Sequence, residues 1–124
     1  MTKVTLQELE SGAERVHAVF APTPFYRWPL LCERAACEVW VKHENHTPTG
    51  AFKIRGGLVY MAERAQRHER QGIIAASTGN HGQSIAVAGT NYGLPVTIVV
   101  PQGNSPGWRV LVTDGFIKQR ECRR

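Results

Sequence analysis

The chain has 124 residues, of which 42% are hydrophobic and 20% charged, and its formal net charge is +5. This composition is typical of a globular domain and excludes a collagen-like or strongly charged disordered chain. The longest apolar stretch, residues 95–101, falls far short of the roughly 20 residues that a membrane-spanning helix needs. Because no apolar leader follows Met1, we expect neither a secretory signal nor a membrane partner.

The basic excess lies mostly near the end of the chain, where residues 107–124 carry five basic and two acidic side chains. No nucleic-acid-binding motif accompanies it, so we expect no nucleic acid as a partner, and binding through the tail stays a weaker alternative. The cysteines and histidines do not occur at zinc-site spacings, so we predict no metal. Three cysteines without a CxxC pair indicate free thiols in a reducing compartment, and we expect a cytoplasmic protein.

The first half of the chain contains three predicted helices and one strand. Thr5 and Glu8 have the spacing of a capping box, which predicts a helix at the N-terminus. A short helix over residues 28–36, a half-buried strand over 38–42 and a helix from 51 to about 70 follow, with Gly72 as a helix stop. The apolar positions expected on the inner faces are Leu6, Leu9, Ala13, Val16 and Phe20 in the first helix and Phe52, Leu58, Met61, Ala62 and Ala65 in the third.

Two glycines in a row, Gly56 and Gly57, lie inside the third predicted helix. Each costs about 1 kcal/mol relative to alanine in a helix. A double glycine at such a place indicates that another backbone packs closely against it.

The second half has the pattern of a βαβ unit. Residues 73–76 and 95–100 are short apolar runs typical of buried strands, and residues 83–92 between them have a helical pattern. This order predicts parallel strands joined by a right-handed crossover, and therefore an α/β fold.

The loop after the first of these strands, Ser77-Thr-Gly-Asn-His-Gly82, offers hydroxyls, an amide, an imidazole and backbone N–H groups. Ligands of open parallel sheets bind outside the carboxyl ends of the strands, so this loop suits a carboxylate or phosphate. The alternative is that Ser77 and Asn80 only cap the following helix. A dinucleotide site is not indicated, since GxGxxG is absent.

Lys53 opens the third predicted helix after a glycine-containing turn and lies among the apolar residues Ala51, Phe52 and Ile54. If these neighbours exclude water, the neutral and nucleophilic form of the amine is favoured. The alternative is an ordinary solvated lysine.

Two segments resemble one enzyme family. Residues 42–56, KHENHTPTGAFKIRG, closely resemble the cofactor-lysine segment of threonine dehydratases, which are fold-type II, tryptophan-synthase-β-like pyridoxal phosphate enzymes. Residues 76–83, ASTGNHGQ, resemble their substrate-carboxylate loop, and Thr23-Pro24 is similar to the start of their first matching segment. The resemblance covers roughly residues 20–106 and implies a three-layer α/β fold with a mostly parallel sheet, here incomplete.

The resemblance also implies a cofactor and a reaction. Lys53 would hold pyridoxal 5′-phosphate covalently and then remove the α-proton of the substrate. Asn80 would bond the cofactor's ring hydroxyl and Phe52 would pack beside it. The residues implied to bind the substrate carboxylate are Ser77, Thr78, Gly79, Asn80 and His81.

The implied activity is a threonine/serine dehydratase, an ammonia-lyase that converts a β-hydroxy amino acid into a 2-oxo acid and ammonia. The small-molecule partner would be threonine or serine, and members of this family are expected to form homo-oligomers. A serine racemase or a hydroxyaspartate dehydratase shares these motifs and remains an alternative. In such racemases, a hydroxyl at the position of Thr78 is able to serve as a second acid or base.

Residues 107–124 do not match the family pattern, and no glycine-run loop for the cofactor phosphate follows Asn80. We therefore expect residues 1–106 to form the N-terminal part of the fold, comprising the lysine-bearing edge of the large domain and most of the small domain. An unmatched basic tail would follow, as in a truncated or frameshifted product. Such a chain is expected to be inactive or nearly so by itself. The alternative of another class is a non-catalytic α/β module that binds a small anion.

Overall fold

A computed structural model describes residues 3–101 and, for the backbone, residues 117–122. The elements are α1 (Leu6–His17), β1 (Phe25–Arg27), α2 (Pro29–Ala35), β2 (Trp40–Lys42), a 3-10 turn (Glu44–His46), α3 (Lys53–Gln66), β3 (Ile73–Ala76), α4 (Asn80–Asn91), β4 (Val96–Pro101) and β5 (Ile117–Cys122). Strands β3, β4 and β5 form a parallel sheet in that order, and β1 pairs antiparallel with β2.

The core lies between the parallel sheet and the helices α3 and α4. α4 packs on β3 and β4, α3 packs against α4, and α1 packs against α3. Alternate residues of β4 are buried, as expected of a strand with one covered face. The predicted βαβ unit and the α/β class are therefore confirmed. The largest buried apolar side chains are Ile54, Leu58, Met61, Leu94, Val96, Ile98 and Val100.

The capping box of α1 is confirmed, but most of its predicted inner face is not buried. The Glu8 amide donates to Thr5 Oγ1 at 3.2 Å, and the Glu8 carboxylate accepts from the Thr5 amide at 2.7 Å. Val16 is buried, whereas Leu6 and Leu9 are 70% and 60% exposed. The pattern therefore predicted the helix correctly, although Val16 is its one buried residue, at the contact with α3.

The third predicted helix is shorter at both ends than its pattern indicated. It begins at Lys53 rather than residue 51, because Thr47 holds Ala51 in a loop through two hydrogen bonds. It ends at Gln66, before the predicted stop at Gly72, and His68 follows with a left-handed φ of 55°. Phe52 lies outside the helix and is 62% exposed, so its assignment to the inner face is wrong.

The helix of the βαβ unit begins at Asn80, three residues before its predicted start at Gln83. Gly79 before this start and Gly82 within the first turn concealed it, because glycine is a poor helix former. Strands β1 and β5 were not predicted, because β1 has only three residues, all exposed, and β5 (IKQREC) is mostly polar without an apolar alternation. No helix among residues 3–101 and 117–122 has the length and apolar character required to span a membrane.

Candidate active site

The helices that carry the two motif segments meet at one close crossing. Ser84 of α4 donates a hydrogen bond from Oγ to the Lys53 carbonyl at 2.7 Å. Gly57 of α3 lies directly opposite, and a Cβ at Gly57 would fall 2.9 Å from the Ser84 carbonyl oxygen. The close packing predicted for the double glycine is confirmed for Gly57, whereas Gly56 has no neighbour within 4 Å of such a Cβ.

A cavity of about 380 Å³ lies beside this crossing and is lined by both motifs. Lys53, at the start of α3, and His81, in the first turn of α4, belong to its lining. The other lining residues are Gly56, Gly57, Tyr60, Ile73, Ile74, Ala75 and Ile85. The tertiary structure therefore brings an amine and an imidazole to one partly apolar cavity from positions 28 residues apart.

The loop at the carboxyl end of β3 holds the remaining predicted site residues. Ser77 Oγ accepts from the amides of Gly82 at 3.0 Å and Gly79 at 3.3 Å, so it supports the first turn of α4. Ser77 therefore has the structural contact that the capping alternative gave it, although the N-cap position is occupied by Gly79. Asn80 does not cap the helix, because it is the first residue of α4, and its side chain is exposed. Thr78 and Gly79 are exposed beside it, and none of these residues lines the cavity.

Lys53 is exposed, so its apolar neighbours among the described residues do not exclude water from the amine, as the alternative of a solvated lysine had it. Its Nζ lies 5.6 Å from the centre of the Phe52 ring. Both side chains are therefore free to contact a ligand. An exposed amine fits the aldehyde of pyridoxal phosphate, apolar cavity walls fit a planar ring, and the N-terminus of α4 fits an anionic group.

A polar cluster of Thr23, Glu44 and Arg55, here called the Glu44 cluster, lies beside the first turn of α3. Arg55 donates to both carboxylate oxygens of Glu44, from Nε at 2.7 Å and from Nη2 at 2.9 Å. Thr23 Oγ1 donates to Glu44 at 2.6 Å and accepts from Arg55 at 3.2 Å. Thr23 is 6% exposed. All three residues lie in segments that resemble the family, yet neither their residue types nor their spacing indicated a role.

The electrostatics of this cluster follow from its hydrogen bonds. The hydrogen bond from Arg55 lowers the pKa of Glu44 to about 2, aided by the Thr23 hydroxyl and the charges of Arg55 and Lys42, and opposed by burial. The same hydrogen bond raises the pKa of Arg55. Lys42 also donates from Nζ to the Thr23 carbonyl at 3.2 Å. An ion pair joined by two hydrogen bonds in this way has a fixed geometry as well as electrostatic attraction.

Residues 16–114 match the family model described as pyridoxal-phosphate dependent enzyme. The chain belongs to this family, as its lysine segment and the cavity beside it indicated. The match extends eight residues beyond the end of the resemblance at residue 106.

Curated relatives include enzymes that act on β-hydroxy amino acids. The chain is 35% identical to the biosynthetic L-threonine dehydratase of Haemophilus influenzae over 82% of this chain and 20% of the relative. It is 34% identical to the L-threonine ammonia-lyase of Thermotoga maritima (80% and 25% covered) and 30% identical to the L-threo-3-hydroxyaspartate ammonia-lyase of Saccharomyces cerevisiae (90% and 34% covered). The chain thus spans between a fifth and about a third of these relatives.

Solved structures show the same fold. A pyridoxal 5′-phosphate-dependent aspartate racemase superposes with a TM-score of 0.85 at 25% identity, covering 98% of this chain and 39% of that enzyme. The serine racemase of Dictyostelium discoideum gives a TM-score of 0.83 at 24% identity, covering 95% and 40%. The chain therefore has part of the fold-type II architecture that the resemblance implied.

Proposed function

We propose that this chain carries the lysine and carboxylate-binding side of a pyridoxal-phosphate-dependent ammonia-lyase that acts on threonine or serine. One observation carries the proposal: Lys53 and His81, from the two motif segments, line the same cavity. Family membership and the threonine dehydratases among the relatives support the reaction class.

The proposed roles follow from where the residues lie. Lys53 binds the cofactor aldehyde through Nζ, and its amine afterwards accepts the α-proton of the substrate. Phe52 packs beside the cofactor ring, since its exposed side chain already lies near Nζ. When bound, pyridoxal phosphate withdraws electrons from the carbon that loses this proton. Loss of the β-hydroxyl as water, followed by hydrolysis, yields the 2-oxo acid and ammonia.

The start of α4 is proposed to bind both the cofactor and the substrate carboxylate. The exposed amide of Asn80 bonds the cofactor's ring hydroxyl. Backbone N–H groups at a helix N-terminus stabilise an anion, which is the chemistry a carboxylate requires. The residues proposed for the carboxylate are Ser77, Thr78, Gly79, Asn80 and His81. Ser77 supports this turn structurally as well, through its contact with Gly82.

A second candidate within the class is a serine racemase or a hydroxyaspartate dehydratase. It is favoured by the hydroxyaspartate ammonia-lyase among the relatives and by the exposed hydroxyl of Thr78 at the start of α4. A racemase needs an acid or base on each face of the substrate, and Thr78 is the candidate for the second. Assays of a longer form with threonine, serine and hydroxyaspartate, each followed for product and for inversion, separate these activities.

We further propose that residues 1–106 form the lysine-bearing edge of the large domain and most of the small domain. Within these 124 residues the glycines after Asn80 are isolated, so this stretch itself supplies no glycine-run loop for the cofactor phosphate. Since such contacts orient a cofactor, the chain by itself is expected to hold pyridoxal phosphate weakly and to turn over substrate slowly or not at all.

The test is a visible-absorbance titration of the 124-residue chain with pyridoxal phosphate, followed by borohydride reduction and peptide mass analysis. We expect saturable attachment at Lys53 that is lost in Lys53→Ala and retained in Lys3→Ala, the matched control. Equal labelling of Lys3, Lys42 and Lys53 would refute the proposal. A small anion that binds Lys53→Ala as well as wild type, without selective labelling of Lys53, would instead indicate a non-catalytic binding module.

A further inference from the structure

The Glu44 cluster connects three parts of the chain that are distant in sequence. Thr23 precedes β1, Glu44 lies in the 3-10 turn after β2, and Arg55 is the third residue of α3. Arg55 is two residues from Lys53, so its side chain is attached to the same first helical turn. Whatever fixes Arg55 therefore limits how this turn can move relative to the β1–β2 pair.

The geometry of the cluster is restrictive. Arg55 uses two nitrogens on two oxygens of Glu44, and Thr23 contacts both partners through one hydroxyl. The Arg55 and Glu44 side chains are only 26% and 21% exposed. The Arg55 guanidinium also lies 5.3 Å from the centre of the Phe20 ring. A planar guanidinium held on several sides has few alternative orientations.

Among the described residues, one side-chain hydrogen bond reaches the first turn of α3 from another α-helix, that from Ser84 to the Lys53 carbonyl, and Ile54 of this turn is buried in the core. That bond holds the turn against α4, and the Glu44 cluster holds it from the side of β1 and β2. Ion pairs elsewhere on α3 lack this arrangement. Glu63, for example, pairs with Arg15 at 3.6 Å and with Arg67 at 3.8 Å, and its side chain is 48% exposed.

From this geometry we infer that Thr23, Glu44 and Arg55 act as positioning residues that hold the first turn of α3, and thereby set where the Lys53 amine lies. The purpose of placing the Lys53 amine rests on the proposed function, whereas the position of the turn does not depend on any ligand. None of the three residues touches the cofactor or the substrate in this role. They act through the backbone between Arg55 and Lys53.

The experiment compares wild type with Glu44→Gln and Thr23→Val, and uses Glu63→Gln as the matched control on the same helix. Thr23→Ser keeps the hydroxyl and serves as the conservative rescue. All measurements are made on the full chain at a temperature where each variant is folded by circular dichroism. The first readout, amide hydrogen exchange resolved by peptide mass spectrometry, requires no pyridoxal phosphate.

We expect exchange in residues 57–59, whose amides bond to the carbonyls of the first turn, to accelerate about tenfold in Glu44→Gln and Thr23→Val, with residues 61–66 unchanged. Thr23→Ser and Glu63→Gln are expected to behave like wild type. Equal exchange in all variants overturns the inference. A uniform acceleration over the whole of α3 overturns it too, because the cluster would then contribute only to general stability.

The second readout is the rate at which pyridoxal phosphate attaches to Lys53 relative to Lys3, after borohydride trapping. We expect the ratio to fall about tenfold in Glu44→Gln and Thr23→Val, since a reacting group displaced by less than an ångström loses rate steeply. If local exchange is faster but the ratio of attachment at Lys53 to that at Lys3 is unchanged, the cluster does not set the position of the Lys53 amine, and the inference is contradicted. If wild type itself shows no selectivity, the proposed function fails, and the exchange data alone decide the inference.

Discussion

Gly57 of α3 lies against Ser84 of α4 at the point where the two helices cross, and no side chain larger than hydrogen fits between them. This contact, together with the hydrogen bond from Ser84 to Lys53, determines how far the first turns of the two helices lie from each other. Gly57 also lines the cavity that Lys53 and His81 share, so the crossing forms part of its wall.

Gly57→Ala is expected to destabilise the fold by about 3 kcal/mol, because its methyl group would overlap the Ser84 backbone in a packed core. The matched control is Gly56→Ala, which meets nothing within 4 Å and is expected to stabilise α3 by about 0.5–1 kcal/mol. Urea unfolding followed by circular dichroism measures both. Equal effects of the two substitutions would contradict the close crossing.

Thr47→Val is expected to destabilise the chain by about 2 kcal/mol, because it leaves a buried amide without its acceptor. Thr47 is 6% exposed, and its Oγ1 accepts from the Ala51 amide at 2.9 Å and donates to the Ala51 carbonyl at 2.8 Å. Thr47→Ser keeps the hydroxyl and is expected to retain most of the stability. The unfolding midpoints of the two variants are compared. A Thr47→Val variant as stable as Thr47→Ser would contradict this role of the Thr47 hydroxyl.

The stability of the chain is expected to depend on pH through Glu44. Its pKa is about 2 in the folded chain and 4.5 ordinarily, so the unfolded state binds a proton first as the pH falls. The contribution is therefore fully present above pH 4.5 and is lost as the pH falls through about 2. Its size is about 2 kcal/mol after allowance for solvent screening.

The measurement for Glu44 is the free energy of unfolding of wild type and Glu44→Gln at a series of pH values. The difference between the two is expected to be largest near neutrality and to shrink steadily in acid. Glu63→Gln serves as the control, since its exposed ion pairs are expected to contribute little at any pH. A difference that stays constant across the acid range would show that the Glu44 charge does not matter.

Two substitutions in the loop after β3 are expected to separate structural from binding roles. Ser77→Ala removes the acceptor for the Gly79 and Gly82 amides and is expected to cost about 1 kcal/mol of stability. Asn80→Ala removes an exposed amide and is expected to change stability by less than about 0.5 kcal/mol. In contrast, it is expected to weaken the attachment of pyridoxal phosphate at Lys53. Unfolding and absorbance titrations are measured in parallel on both variants. A larger loss of stability in Asn80→Ala than in Ser77→Ala, or unchanged attachment of pyridoxal phosphate in Asn80→Ala, would contradict this assignment.

Local patterns were sufficient for the elements whose signals lie within a few residues. The Thr5–Glu8 capping box and the strand–helix–strand order of residues 73–100 were both confirmed. Boundaries were less predictable. α3 begins later than its pattern indicated because a side chain four residues before Ala51 holds that residue in a loop, and α4 begins earlier because Ser77 supports a glycine-containing turn. Neither hydrogen bond produces a periodic residue pattern that can be read from the sequence.

By itself, the sequence determined the α/β class and the family, because hydrophobic period and motif spacing are properties of neighbouring residues. Only the tertiary structure decided that Lys53 and His81 share a cavity, that Gly57 rather than Gly56 permits the helix crossing, and that Thr23, Glu44 and Arg55 meet. These are contacts between residues 11 to 32 positions apart, and which of the possible pairs forms depends on how the helices and strands pack together.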